Sequence, residues 1–193
     1  MNKITDYAID IETLSTSRKN LPALVEIGAV KFDRESGVII DEFHRYIELE
    51  SALEYGTVDA DTLNFWFAQS NAKMVMSEGP RTSIFDAFFG LESFLYCPDG
   101  RGRYWAWGAE FDLRVLIGTD EAISGPPGGE GQIPYRSVRD ARTYCTELAE
   151  QFGIILPTQD ARTKHNALDD AKHCARLVSG VYSQMMVAVE RLG

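Results

Sequence analysis

The 193-residue sequence has no run of about 18 apolar residues, the length a helix needs to cross a bilayer. Its opening, "MNKITDYAIDIET", passes into strand-like alternation without an apolar leader, so a soluble intracellular protein is expected. Cysteine is scarce: Cys97, Cys145 and Cys174 are odd in number, far apart, and form neither CxxC nor a zinc spacing. That excludes a disulfide framework and leaves them as small core residues in a reducing compartment. Positive charge is short as well. With 19 Lys and Arg against 29 Asp and Glu, the net charge of -10 excludes a general polyanion binder, because non-specific nucleic-acid affinity comes from neutralising the backbone. Basic residues occur only in local groups: Arg101 with Arg103, Arg136 with Arg139 and Arg142, and Arg162 with Lys164. Each group taken alone reads as mixed-charge surface. There is no internal repeat and no low-complexity tract.

What is present suits one domain over residues 1–193: 45% of the side chains are hydrophobic, enough for a substantial core at this length. In "TDYAIDIE" Tyr7, Ile9 and Ile11 alternate with Asp6, Ala8, Asp10 and Glu12, the two-residue period of a strand. Residues 24–33 and 37–49 are β-branched runs joined by the turn-like "RESG", which predicts an antiparallel meander after the first strand. Helices are expected from a Thr62 cap, after Pro80, through "EFDLRVLI", through "VRDARTYCTELAEQFG" to Gly153, and from about Leu168 to Leu192. A short buried strand is expected at 103–108, and 124–134, rich in Gly and Pro, is expected to be an exposed loop. This order predicts an α/β fold, a mixed sheet with helices on both faces.

Asp10 and Glu12 leave one face of a strand, close enough to share a cation. The same D-x-E spacing at Asp33 and Glu35 falls in a hairpin turn, where acidic residues are ordinary. Asp10 and Glu12 instead end an apolar strand, where an ionised pair is costly unless something compensates it. Asp112 sits on the first turn of a helix, where a carboxylate is favoured anyway. In "HNALDDAKH" (165–173), a 100° advance per residue puts Asp170 on the stripe of Cys174, Leu177, Val178 and Val181. Asp169 falls opposite with Lys172, His173 and Arg176, as surface pairs. Asp170 thus places a charge at the core's edge, and His165 precedes it from a polar loop. Asp140 reads as a cap of its own helix.

"DIET" (10–13), "GAEFD" (108–112) and "HNALDD" (165–170), in that order, resemble the three-part signature of the DEDD exonuclease superfamily, histidine-containing (DEDDh) branch. "DTLNFWFAQS" and "VRDARTY" resemble segments of the phage exonuclease DexA, and "WAWGAEFDLRVL" resembles a motif of bacterial and phage 3′-5′ exoribonuclease domains. The Asn that many relatives carry shortly before the second Phe-Asp is absent from "WGAEFD". The resemblance implies a ribonuclease H-like sheet of five or six strands. It also implies that Asp10, Glu12, Asp112 and Asp170 are metal-site carboxylates, His165 the general base, and two Mg²⁺ or Mn²⁺ ions the cofactors. Two such ions roughly 3.5–4 Å apart activate water and stabilise the leaving oxygen in phosphodiester cleavage, and hard cations take oxygen ligands. An imidazole can take the proton near neutral pH.

The implied activity is a 3′-5′ exonuclease releasing nucleoside 5′-monophosphates from single-stranded DNA or RNA or from 3′ overhangs. On this reading Leu14 wedges against terminal bases beside Thr13, with Trp66 and Phe111 as further stacking candidates; core packing is the stronger reading of Trp66. Arg139, Arg142, Arg162 and Lys164 are candidates for phosphate contact. Two other readings share the pattern: a hydrolase of small phosphodiesters on the same metal site, and a non-catalytic module that binds nucleic acid or protein. A homodimer is compatible with the Trp and Phe content. The choice between DNA and RNA depends on groups that contact the sugar and is not legible in the sequence.

Overall fold

The computed structural model describes residues 4–125, 133–160 and 163–191. Strand β1 (Thr5–Thr13) is followed by β2 (Leu24–Phe32) and β3 (Ile39–Tyr46). Next come helices α1 (Leu49–Leu53), α2 (Ala60–Phe67), α3 (Ala72–Met76) and α4 (Ile84–Leu95), then β4 (Gly102–Ala106) and α5 (Ala109–Ser124). A 3₁₀ turn (Tyr135–Ser137) leads into β5 (Val138–Asp140), α6 (Ala141–Phe152) and α7 (Ala167–Glu190). Arg162, most of the Gly- and Pro-rich stretch and the expected last helical residue, Leu192, lie outside the described residues.

The five strands lie in the order β3-β2-β1-β4-β5. The first three form the antiparallel meander, while β4 runs parallel to β1 and β5 parallel to β4. Alternation along β1 sorts its side chains between two cores. Tyr7, Ile9 and Ile11 join the packing of Trp66, Phe88, Leu91, Leu113 and Leu116 from α2, α4 and α5. Ala8 belongs to the opposite face, with Trp105 and, from α6 and α7, Cys145, Cys174, Leu177 and Val178. The period-two sequence pattern therefore marks a strand buried on both sides, its even face carrying the carboxylates.

Several boundaries differ from expectation for local reasons. Helix α2 starts earlier than a Thr62 cap would allow, because Asp59 accepts the Thr62 N–H at 2.7 Å. Residues 138–140, expected as helix, pair with Tyr104–Ala106 as β5. Asp140 then caps α6 through Thr143 N–H at 2.8 Å and also accepts Ala109 N–H at 3.0 Å, tying α6 to α5. Gly28 fixes the seat of α7. It lies beside Asp10 in the sheet, and a Cβ built on it would fall 2.1 Å from the Ala167 carbonyl carbon. Only a residue without a side chain lets the first turn of α7 approach the strand this closely.

Candidate active site

Asp10 and Glu12 project from the end of β1 onto the face covered by α7. Asp112 arrives on the first turn of α5 and Asp170 on the first turn of α7. His165 precedes α7. Donor atoms of Glu12, His165 and Asp170 all lie within 4.8 Å of one another. Asp10, His165 and Asp170 line a cleft of about 340 Å³, together with Trp107, Gln159, Lys164, His173 and Cys174.

The carboxylates raise one another's proton affinity. Burial drives Asp10 well above the ordinary range, and Asp112, Glu12, Asp170 and Glu26 add repulsion. Glu12 is pushed up to about 9 by burial and then by Glu26, Asp170 and Asp112. Burial lifts Asp112 to about 7 against the opposing pull of backbone N–H groups and the Arg142 guanidinium. Asp170 is raised by burial although Gln159 donates to Oδ1 and His165 N–H donates to Oδ2 at 3.0 Å. Such a cluster lacks positive charge. An oxygen-rich donor set with one imidazole at its edge fits hard divalent cations.

His165 is held by its backbone. It has φ of 62°, a left-handed conformation uncommon outside glycine. The Asn71 side chain donates to its carbonyl at 2.5 Å while its N–H is taken by Asp170. The ring meets the exposed Phe65 edge-on, with centroids 4.9 Å apart. Beneath the helix start, Glu26 is fully buried. Its Oε1 accepts from Asn166 Nδ2 at 2.8 Å and Ala167 N–H at 3.1 Å and is 2.7 Å from His44 Nε2. Asn166 in turn caps α7 by accepting Asp169 N–H at 3.1 Å. A chain of contacts from β3 through β2 thus fixes the turn that presents His165 and Asp170.

The structure spreads the expected substrate residues widely. Trp66 is 1% exposed, in the core, and donates Nε1 to the Thr13 carbonyl at 2.9 Å. Leu14 is 4% exposed and so offers almost no surface to a base, and Thr13, equally buried, turns its hydroxyl onto Ser15. Phe111 is half-buried beside Arg114. Lys164 lines the cleft, and Arg142 stands over Trp107 near Asp112. Arg139 lines a different cavity altogether. His173, expected on the opposite side of α7 with Asp169, lies in the cleft, while Lys172 pairs with Glu42 at 2.7 Å. Residues three apart are neighbours on one helix face, so the cleft that holds Asp170 takes in His173 as well. Sequence reasoning missed Glu26, Gly28, Phe65, Asn71 and Gln159. Only Glu26 carried a readable signal, a lone carboxylate in the apolar run "LVEIGAV".

A mixed sheet presenting four carboxylates from β1, α5 and α7, with a histidine five residues before the last, defines an exonuclease of the DEDDh type. Residues 5–182 match the family model of the 3′-5′ exoribonuclease Rv2179c-like domain, and the chain belongs to that family. The finer likeness to DexA rests on the sequence segments alone. No curated protein sequence matches. Among solved structures, the chain is similar to the nuclease domain of 3′hExo, a DEDDh family member, bound to rAMP. That match has a TM-score of 0.57 and 14% identity and covers 94% of this chain and 92% of that one. It is also similar to Escherichia coli exonuclease I in complex with a dT13 oligonucleotide, with a TM-score of 0.67, 16% identity, 98% of this chain covered and 43% of that one. Schizosaccharomyces pombe Pop2p in its Mg²⁺- and Mn²⁺-bound form gives a TM-score of 0.57 at 12% identity over 92% of this chain and 82% of that one. These likenesses establish a shared fold. The chain spans less than half the length of exonuclease I.

Proposed function

We propose that this chain is a divalent-metal-dependent 3′-5′ exonuclease that hydrolyses single-stranded nucleic acid or 3′ overhangs and releases nucleoside 5′-monophosphates. The observation that carries it is the convergence of Glu12, His165 and Asp170 within 4.8 Å, in a cleft that Asp10 also lines. Asp10, Glu12, Asp112 and Asp170 would hold two Mg²⁺ or Mn²⁺ ions, which when bound supply Lewis-acid charge to the phosphoryl group and its leaving oxygen. His165 takes the proton of the attacking water at an imidazole nitrogen. Asn71 and Asp170 hold its backbone and Phe65 limits its ring, so the base is positioned before substrate arrives. Lys164 and Arg142 bring positive charge to the rim of an otherwise acidic site. Trp107 and the exposed Phe65 offer rings to a terminal base, in place of Trp66 and Leu14.

The ligands named for the similar structures, rAMP and dT13, span both sugar types, so the test compares matched substrates. A 5′-labelled RNA and the equivalent DNA are incubated with the protein in Mn²⁺ or Mg²⁺, with EDTA and Asp10→Asn as controls. Stepwise shortening from the 3′ end, lost in both controls, is expected. Correctly folded protein that leaves both polymers intact with either ion would overturn the reading.

A further inference from the structure

The first residues of β1 and β4 carry a second polar centre on the same sheet face as the carboxylates, at the opposite end of β1. Asp6, 2% exposed, accepts Arg103 Nε at 2.7 Å and Nη2 at 2.5 Å and also Trp105 Nε1 at 2.7 Å. Against this pair opens a cavity of about 420 Å³, lined by Arg34, Arg101, Arg103 and Arg139, with Trp105 and Tyr144 in its wall. None of its described lining residues is acidic. In a chain of net charge -10, this is a concentration of positive charge that runs against composition.

Neutralisation within the chain is partial. Asp6 is committed to Arg103. Asp99, fully exposed, accepts the Arg101 backbone N–H at 3.1 Å and offsets some of the Arg101 charge from outside. Arg139 donates Nη1 to the carbonyls of Arg136 and Val138, each at 2.7 Å, which orients its guanidinium without cancelling its charge. Arg34 stacks on Tyr182 at 4.1 Å. Its Nε and the Tyr144 hydroxyl are both buried with no hydrogen-bond partner among the described residues. An excess of guanidinium groups calls for a ligand with more than one negative charge, and a phosphate dianion matches their planar forks. The volume falls in the usual range of small-molecule sites, about 300–1,000 Å³.

We propose that this cavity binds a phosphate monoester dianion, such as the phosphate of a nucleoside 5′-monophosphate, with its phosphoryl oxygens on the arginines. Its source is a free mononucleotide or another terminal phosphate monoester, because an internal phosphodiester of a strand carries only one negative charge. The inference does not depend on the exonuclease reading, because its test runs without turnover.

The intact chain is titrated calorimetrically with AMP, adenosine and inorganic phosphate in EDTA, where the uncompensated carboxylates of the cleft repel phosphate. AMP is expected to bind at one site at least tenfold more tightly than adenosine, with inorganic phosphate competing. Arg101→Gln and Arg139→Gln should each weaken AMP by roughly ten- to hundredfold, the worth of one charged hydrogen bond. Arg101 is exposed, so its variant tests binding even if Arg139→Gln perturbs the fold. Asp170→Asn, in the other cleft, should leave the affinity unchanged. A dT10 strand without a terminal phosphate, whose linkages are monoanionic diesters, is expected to leave AMP binding unchanged; displacement of AMP by dT10 would overturn the choice of a monoester dianion. AMP binding no better than adenosine, affinity unmoved by both arginine variants, or affinity abolished by Asp170→Asn would each overturn it.

Discussion

Glu12→Gln should stabilise the protein in EDTA while destroying its activity. Glu12 has an ordinary value of 4.5 and is held at about 9 in the folded state, chiefly by burial and then by the neighbouring carboxylates. A group with a raised folded value favours folding fully only below its unfolded value, and that advantage is lost as pH rises toward the folded value. At pH 7 the folded protein keeps the proton that the unfolded chain has released. The cost is the gap from 4.5 to 7, about 3 kcal/mol at about 1.4 kcal/mol per unit. Glutamine carries no such cost. Thermal or urea unfolding in EDTA should show Glu12→Gln level with wild type near pH 4.5 and ahead by about 3 kcal/mol at pH 7. The gap should widen until about pH 9. For a domain of this size, about 3 kcal/mol corresponds to roughly 6–12 °C in Tm. Mn²⁺ should then stabilise wild type more than the variant. A variant no more stable than wild type at pH 8 in EDTA, or a difference independent of pH, would refute the argument that burial and then the neighbouring carboxylates hold the Glu12 proton in the folded chain.

The seat of α7 gives a second test: Gly28→Ala pushes a methyl into the Ala167 backbone, and turnover should collapse with a loss of about 1–3 kcal/mol in urea unfolding. Asn71→Ala frees the His165 carbonyl, so kcat should fall about tenfold or more with KM little changed, as measured by single-turnover and steady-state assays. His165→Ala should reduce the rate by a factor on the order of 10²–10⁴ with substrate affinity retained in filter binding. Asp170→Asn should abolish cleavage, whereas Asp169→Asn, outside the cleft lining, should keep most of it in the same assay.

The antiparallel meander of the first three strands and the even face of β1 were legible because period-two alternation is a local property, and the β1 sequence shows it from Asp6 to Glu12. Helix phase likewise put Asp170 on the cleft side, but it misassigned His173, which lies there too. The cleft's supports were not legible. Asn71 lies 94 residues from His165, and Glu26 lies 140 from Asn166, so no spacing rule connects them. Gly28 looked like any glycine in a strand until α7 was laid across it. Val138–Asp140 continued the helical pattern of α6 in sequence, and only pairing with β4 made it strand. Glu26 was within reach of the argument applied to Asp10, since a buried carboxylate in an apolar run demands a partner wherever it occurs.

Strand β1 carries carboxylates at both ends of one face, and the chain treats them differently. At Asp6 the compensating charge is covalently part of the protein, supplied by Arg103 at a fixed distance. At Asp10 and Glu12 no basic residue is among the causes that shift them, and the Arg142 guanidinium opposes the rise at Asp112. One end is therefore neutralised within the chain, while on the proposed function the other would be neutralised by bound divalent ions. A site that must draw its counter-ions from solution makes folding stability depend on their free concentration, by RT ln(1 + [L]/Kd) for each bound ion. Such a molecule would register depletion of divalent ions twice, once as lost turnover and once as a shorter lifetime of the folded chain.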